Sequence, residues 1–354
     1  MKDLAKFYHG KRIFITGHTG FKGSWLAQVL VSWGAVVKGF ALSPDAANSH
    51  FSALDLESKI DHQIGDITNS EDLKQAISDF RPDIVMHLAA QALVRESYKD
   101  PKTTFNTNVM GSLNLLDAVN ACDSVKALVY ITSDKCYENL EWVWGYRETD
   151  PMGGFDPYSA SKAAAEILFS SYSRSYFCSK DNFSCASARA GNVIGGGDYA
   201  ADRIIPDCVH AAKSNSTVEL RNPNATRPWQ HVLEPLSGYL VLGRMLLDQQ
   251  VESGSAWNFG PSAERVITVE EVANRIFKIL GAGELIIDSS DEHPHEAGLL
   301  QLNCDKAHAY LGWNSHWSGD VAITKTAEWY REVNLGGSAE DVTNSQIKEY
   351  FNGN

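Results

Sequence analysis

The stretch Arg12-Ile-Phe-Ile-Thr-Gly17-His-Thr-Gly20-Phe-Lys-Gly23 decides the fold. Its first five residues are a short apolar, β-rich run that stops at a glycine. Trp25, Leu26, Val29 and Leu30 then recur at helical spacing until Gly34, a helix stop. Strand, glycine-rich turn and helix in that order make an anion site. The glycines allow a tight turn and a close backbone approach, and the helix start offers free N–H groups and partial positive charge. The spacing is GxxGxxG rather than GxGxxG. A plain glycine-rich turn would look similar in isolation. The strand before it and the helix after it favour a dinucleotide pyrophosphate, held by Gly17, His18, Thr19, Gly20, Phe21, Lys22 and Gly23.

Working outward, strands and helices alternate. Val36 and Val37 begin a second strand, and Ser70 to Phe80 places Leu73, Ala76, Ile77 and Phe80 on one helix face. Asp83 to Ala89 is a buried-strand run, Val109 to Val119 a helix, and Ala127 to Thr132 a strand. Pro157 suits the first turn of the next helix, and Ser184 to Ala188 fits one more strand. Strands separated by helices pair in parallel, because the crossover needs the helix. The pattern predicts an α/β fold: a doubly wound parallel Rossmann-type sheet with a smaller α/β substrate-binding domain. The expected boundaries are 1–190 for the dinucleotide domain and 191–335 for the substrate region, with the chain free to cross back between them. The polar residues 336–354 read as a partly ordered tail.

The chain has 354 residues, 44% hydrophobic and 21% charged, enough for a sizeable core. Its formal net charge of −13 argues against a general nucleic-acid or anionic-membrane binder. No apolar stretch reaches the roughly 18 residues of a membrane span, and no signal-peptide run precedes Gly10. The six cysteines are scattered, with no CxxC pair, so they read as reduced thiols of a cytoplasmic protein with no metal site.

Tyr158-Ser-Ala-Ser-Lys162 sets a tyrosine and a lysine at i and i+4 of a helix, on one face. An ammonium near a phenol favours phenolate, which can take a proton from an alcohol during hydride transfer. Such a pair is by itself ordinary helix surface. Here it follows a phosphate loop and a buried strand ending in Thr132-Ser-Asp134. The acidic residue expected roughly 20 residues past the loop is missing from Lys38-Gly-Phe-Ala-Leu-Ser43, with Asp45 slightly beyond. NAD and NADP both stay open on residues alone. Asp66 and Ile67 are candidate adenine contacts, although Asp66 is equally a turn aspartate.

The loop at 17–23, Leu88-Ala-Ala-Gln91, Asn106-Thr-Asn108, Tyr158 with Lys162, and Arg189-Ala-Gly-Asn192 together resemble the extended short-chain dehydrogenase/reductase family. The resemblance spans about residues 10 to 330 and is strongest to the nucleotide-sugar branch. Thr132-Ser-Asp-Lys-Cys-Tyr137 and Thr226-Arg-Pro-Trp-Gln-His231 look most like its 4,6-dehydratases. It implies an NAD-dependent lyase, with Leu88, Ala89, Ala90, Gln91 and Asn108 joining the loop in cofactor binding. Tyr158 would take the 4-hydroxyl proton while hydride passes from C4 to NAD, and Lys162 would bind the nicotinamide ribose. Loss of water across C5 and C6 and hydride return to C6 would follow. Ser133 matches a hydroxyl that binds the 4-hydroxyl and Asp134 the elimination acid. Lys135 stands where many relatives carry a glutamate as C5 base. It is expected to take part as a partly neutral base or as a charged stabiliser of the enolate.

The resemblance also implies CDP-glucose as substrate. Other nucleoside diphosphate sugars (dTDP-glucose, GDP-mannose), a 4-epimerase, or a non-catalytic dinucleotide sensor are the alternatives. Candidate substrate contacts are Asn192, Arg203, Arg221, Arg227 and His295, with His293 nearby. Guanidinium groups suit the two phosphates in forked geometry. Relatives pair through two long helices, here 107–119 and 157–177, which implies a homodimer or dimer of dimers.

Overall fold

The computed structural model describes residues 3–44, 49–200, 202–220, 222–261, 267–287 and 299–353. The decisive stretch forms β1 (Arg12–Thr16), the turn, and a helix over Phe21–Ser32. The chain continues through β2 (Val36–Ala41), β3 (Asp61–Ile64), β4 (Ile84–His87), β5 (Ala127–Ile131) and β6 (Ser184–Ala190). A seventh strand, Ser255–Phe259, pairs with β6. The order is Ser255–Phe259, β6, β5, β4, β1, β2, β3, and every pairing is parallel.

Side-chain alternation explains the two-sided core. Ile13 and Ile15 of β1, Met86 of β4 and Val129 of β5 join one buried cluster. Phe14, Val85 and Leu128, their neighbours in sequence, join the cluster on the opposite face. Chain order reverses between β1 and β4, so a crevice opens beyond their C-terminal ends. Gly17 and Leu88 sit at those two ends.

The chain crosses back between the two regions, and one expectation changes. The seventh strand, with the helix Leu233–Leu247, returns the chain to the first layer well after residue 190. The sheet domain is therefore built from both halves of the sequence. The remainder, including the helices Ile204–Ser214 and Val269–Leu280 and the parallel pair Thr217–Leu220 with Glu284–Ile287, makes the smaller layer. The segment expected as a tail instead contains a helix over Ala339–Asn352. Its Val342, Ile347, Tyr350 and Phe351 are buried in the main core. Ala339, Val342, Thr343, Gln346, Ile347 and Tyr350 recur at three- and four-residue spacing, and the polar residues between them hid that stripe. Among the described residues, no helix is long and apolar enough to cross a membrane.

Candidate active site

The turn after β1 is tight because it contains only backbone where side chains would clash. Gly17 has φ +77°, and a Cβ there would lie 2.7 Å from the Ala89 nitrogen. A Cβ on Gly23 would lie 2.1 Å from the Gly17 oxygen. This cradle opens at the start of the helix Phe21–Ser32, whose first N–H groups face outward from the loop. It is one end of a cleft of about 1020 Å³. Gly17, Thr19, Gly20, Phe21, Lys22, Gly23, Asp66, Ile67, Leu88, Ala89 and Ala90 line that end.

Three expected cofactor residues stand elsewhere. The His18 ring turns into the fold, 2.6 Å from His62 Nδ1, and packs where Gly39 leaves room. Burial, then His62, holds it down to about 3. Asn108 is buried behind the cleft wall, where it accepts from the Gln91 nitrogen (2.8 Å) and donates to the Gln91 carbonyl (3.0 Å) and Ser161 Oγ (2.9 Å). Gln91 spends its side chain on Leu93 and Thr104. These polar residues brace the wall because their partners lie behind it. Asn108 occupies a π-turn over Asn106–Gly111, so the helix expected from Val109 starts with a widened turn.

The opposite wall carries the Tyr158–Lys162 pair and the turn after β5. The helix Pro157–Ser175 starts with Asp156 capping the Ser159 nitrogen (2.9 Å) and Pro157 in the first turn. Tyr158, Lys162 and Glu166 follow at four-residue steps, all buried. Facing them, β5 ends in a 3₁₀ turn over Asp134–Cys136 capped by Ser133. Ser133 donates to Asp134 Oδ1 (2.9 Å), and Lys135 Nζ lies 3.5 Å from the same oxygen and 3.1 Å from Asn192 Oδ1. Ser133, Asp134, Lys135, Tyr158, Lys162 and Asn192 thus share one cleft.

Charge states follow from burial. It pushes the Tyr158 phenol up to about 12, with the Ser133 hydroxyl opposing and Asp134 adding. Arg203 also opposes the rise and Asp156 adds to it. Burial brings Lys162 down to about 8 against the charge of Glu166. Lys22 also falls to about 8: burial dominates, Asp134 opposes, and Lys162, Arg203 and Lys135 add. The loop lysine therefore feels the charges of Asp134, Lys162, Arg203 and Lys135.

Arg203 and Arg227 line the cleft. Arg203 is ion-paired with Asp198 at 2.8 Å, a partner the sequence reading did not foresee. Arg227 donates to the Thr226 carbonyl at 2.9 Å. Arg221, His293, His295 and Asp45 lie outside the described residues. The reading also missed Glu219 and Asn222, which line the far end, and Glu166. The signal for Glu166 was its place four residues after Lys162.

A family profile described as GDP-mannose 4,6 dehydratase matches residues 14–326. The chain is 45% identical over 349 residues to a CDP-glucose 4,6-dehydratase of Salmonella typhimurium, covering 98% of this chain and 97% of that one. It is 26% identical to a dTDP-glucose 4,6-dehydratase of Haemophilus influenzae, covering 90% of this chain and 97% of that one. Among solved structures, a dTDP-glucose 4,6-dehydratase of Bacillus anthracis in complex with NAD superposes with TM-score 0.76 at 22% identity, over 93% and 99% of the chains. A UDP-glucose 4-epimerase of Thermotoga maritima with UDP-glucose gives 0.77 at 22%, over 91% and 99%. At these identities the structural likenesses establish the fold.

Proposed function

The chain belongs to the GDP-mannose 4,6 dehydratase family, and we propose that it is a CDP-glucose 4,6-dehydratase using NAD. The observation that carries this reading is the 45% identity to the Salmonella enzyme across nearly the whole of both chains. A site with elimination groups beside a Tyr–Lys pair supports it.

The cradle fits NAD: the backbone of 17–23 suits the pyrophosphate, and Asp66, Ile67 and Leu88–Ala90 line the same end of the cleft. When bound, NAD supplies the acceptor for the C4 hydride and gives it back to C6. Tyr158 takes the 4-hydroxyl proton, guided by Ser133, and Lys162 holds the nicotinamide ribose. The new C4 ketone acidifies the C5 proton, which Lys135 removes as the neutral amine after its own proton has passed to Asp134, 3.5 Å away. Asp134 delivers a proton to the departing 6-hydroxyl, and water leaves as the C6–O bond breaks. A proton returns to C5 from Lys135. Two protons leave the sugar and two are supplied, so the net change is loss of one water. Asn192, Arg203 and Arg227 hold the phosphate and sugar end.

Incubating the protein with NAD and CDP-glucose should generate the base-labile ultraviolet chromophore of a 4-keto sugar. Stronger turnover of dTDP-, UDP- or GDP-sugars would reassign the base, and no chromophore with any of them would remove the dehydratase reading.

The proposal extends to a homodimer through the helices at 107–119 and 157–177. Met110, Ile167 and Tyr176 on those segments are exposed by 48%, 62% and 52%. Sedimentation velocity tests this; a monomer at working concentration would refute it.

A further inference from the structure

Glu166 is fully enclosed yet charged. Burial raises its carboxyl, but Arg189, Thr132 and Ser187 outweigh that and hold it below its ordinary range. Arg189 Nη2 lies 2.8 Å from Glu166 Oε2, and both side chains are almost wholly buried. Ser187 Oγ donates to the same oxygen at 2.8 Å, and Thr132 Oγ1 donates to the other. Arg189 Nη1 donates to the Tyr137 hydroxyl at 2.7 Å and to the Glu148 carbonyl at 3.1 Å. The Tyr137 hydroxyl donates in turn to Asn258 Oδ1 at 2.8 Å.

Thr132 immediately precedes the turn Ser133–Cys136, and Tyr137 immediately follows it. Glu166 extends from the helix that carries Tyr158 and Lys162. One buried ion pair thus grips both ends of the elimination turn and fixes it to the oxidation helix. A buried pair of this kind contributes little net stability over an apolar alternative. Its worth lies in geometry, because a misplacement of about 1 Å at a reacting group costs roughly 100-fold in rate.

We propose that Glu166 and Arg189 are positioning residues that register the Asp134–Lys135 turn against Tyr158 and Lys162, so that elimination follows C4 oxidation at one bound sugar. This rests on the dehydratase reading and deepens it. The clamp acts on the second step through placement of the turn, whereas the Tyr–Lys pair stays seated on its own helix.

The test uses the full-length protein loaded with NAD and CDP-glucose. Thr132→Val cuts the leading tie, Tyr137→Phe cuts the trailing tie, and the ion pair remains in both. Thr132→Ser keeps the hydroxyl and serves as the rescue. In Thr132→Val and Tyr137→Phe, solvent-deuterium incorporation at C5 should fall about tenfold or more beyond any loss in C4 oxidation, which Ser133 also serves. Reduced nicotinamide absorbance should then build up during a single turnover. Thr132→Ser should restore exchange. Thermal melts confirm that each variant is folded, and Tyr137→Phe alone decides if Thr132→Val is not. Equal loss of both steps, or loss of neither, in a folded variant overturns the clamp. Failure of the unsubstituted protein to convert CDP-glucose would overturn the substrate reading instead.

Discussion

The Lys135 side-chain nitrogen lies 3.1 Å from the side-chain oxygen of Asn192. That bond crosses the cleft from the turn after β5 to the loop after β6. It makes Lys135 part of the site wall, with the buried Asp134 carboxylate 3.5 Å away. The proposed elimination needs a C5 proton acceptor, and Lys135 is the candidate for it. Replacing it with methionine removes the amine and keeps the length. Lys135→Met should still oxidise C4, with C5 exchange slowed by roughly 10²-fold or more, in the range of a lost general base. Unchanged exchange would assign the base elsewhere.

Tyr158 is the group whose loss stops the first step. Its phenol, pushed up to about 12 by burial, is neutral in the free protein at neutral pH. Its proposed role as a base therefore requires substrate and cofactor to be in place. Tyr158→Phe should lower formation of reduced nicotinamide by about 10²- to 10⁴-fold with substrate affinity little changed. A rise in KM alone would make the tyrosine a binding group.

Sequence patterning reached the sheet because the short apolar runs of β1, β4 and β5 and a helical period in Ser70–Phe80 are local signals. The cleft residues on those elements followed, since the ends of β1, β4 and β5 must meet at the switch point. What stayed hidden was nonlocal. Ser255–Phe259 joins the sheet 65 or more residues after β6 ends, and its partner choice carries no local mark. His18 and Asn108 lie in motifs that suggest ligand contact, yet their rotamers turn inward toward His62 and Gln91. The Arg203–Asp198 and Arg189–Glu166 pairs are likewise decided by packing.

The glycine cradle gives a prediction about cofactor affinity. A methyl group on Gly23 would press against the Gly17 oxygen at 2.1 Å, so the turn must open. Overpacking of this kind costs about 1–3 kcal/mol of stability. Loss of two backbone bonds to the proposed pyrophosphate, at about 1.5 kcal/mol each, would weaken binding by roughly 100-fold. Gly23→Ala should therefore bind NAD about two orders of magnitude more weakly in calorimetric titration. Retained affinity would show that the pyrophosphate sits elsewhere.

The C-terminal helix should make stability depend on pH. Glu234 is buried beneath it and accepts from the nitrogens of His316 (3.0 Å) and Trp317 (2.7 Å) and from the Tyr350 hydroxyl (2.7 Å). Burial nevertheless raises its carboxyl from 4.5 to about 7, with those bonds opposing. The folded value lies above the unfolded one. Its contribution is therefore complete below about pH 4.5 and is lost as pH rises through about 7. A shift of this size corresponds to on the order of 3 kcal/mol at most. Glu234→Gln keeps the shape and the neutral charge at every pH, so it should lack this loss. Denaturant melts at about pH 5 and about pH 8 should show the unsubstituted protein losing stability relative to the variant at the higher pH. Parallel changes would mean that the carboxyl is ionised throughout. In that case the three donors, and not burial, set its state.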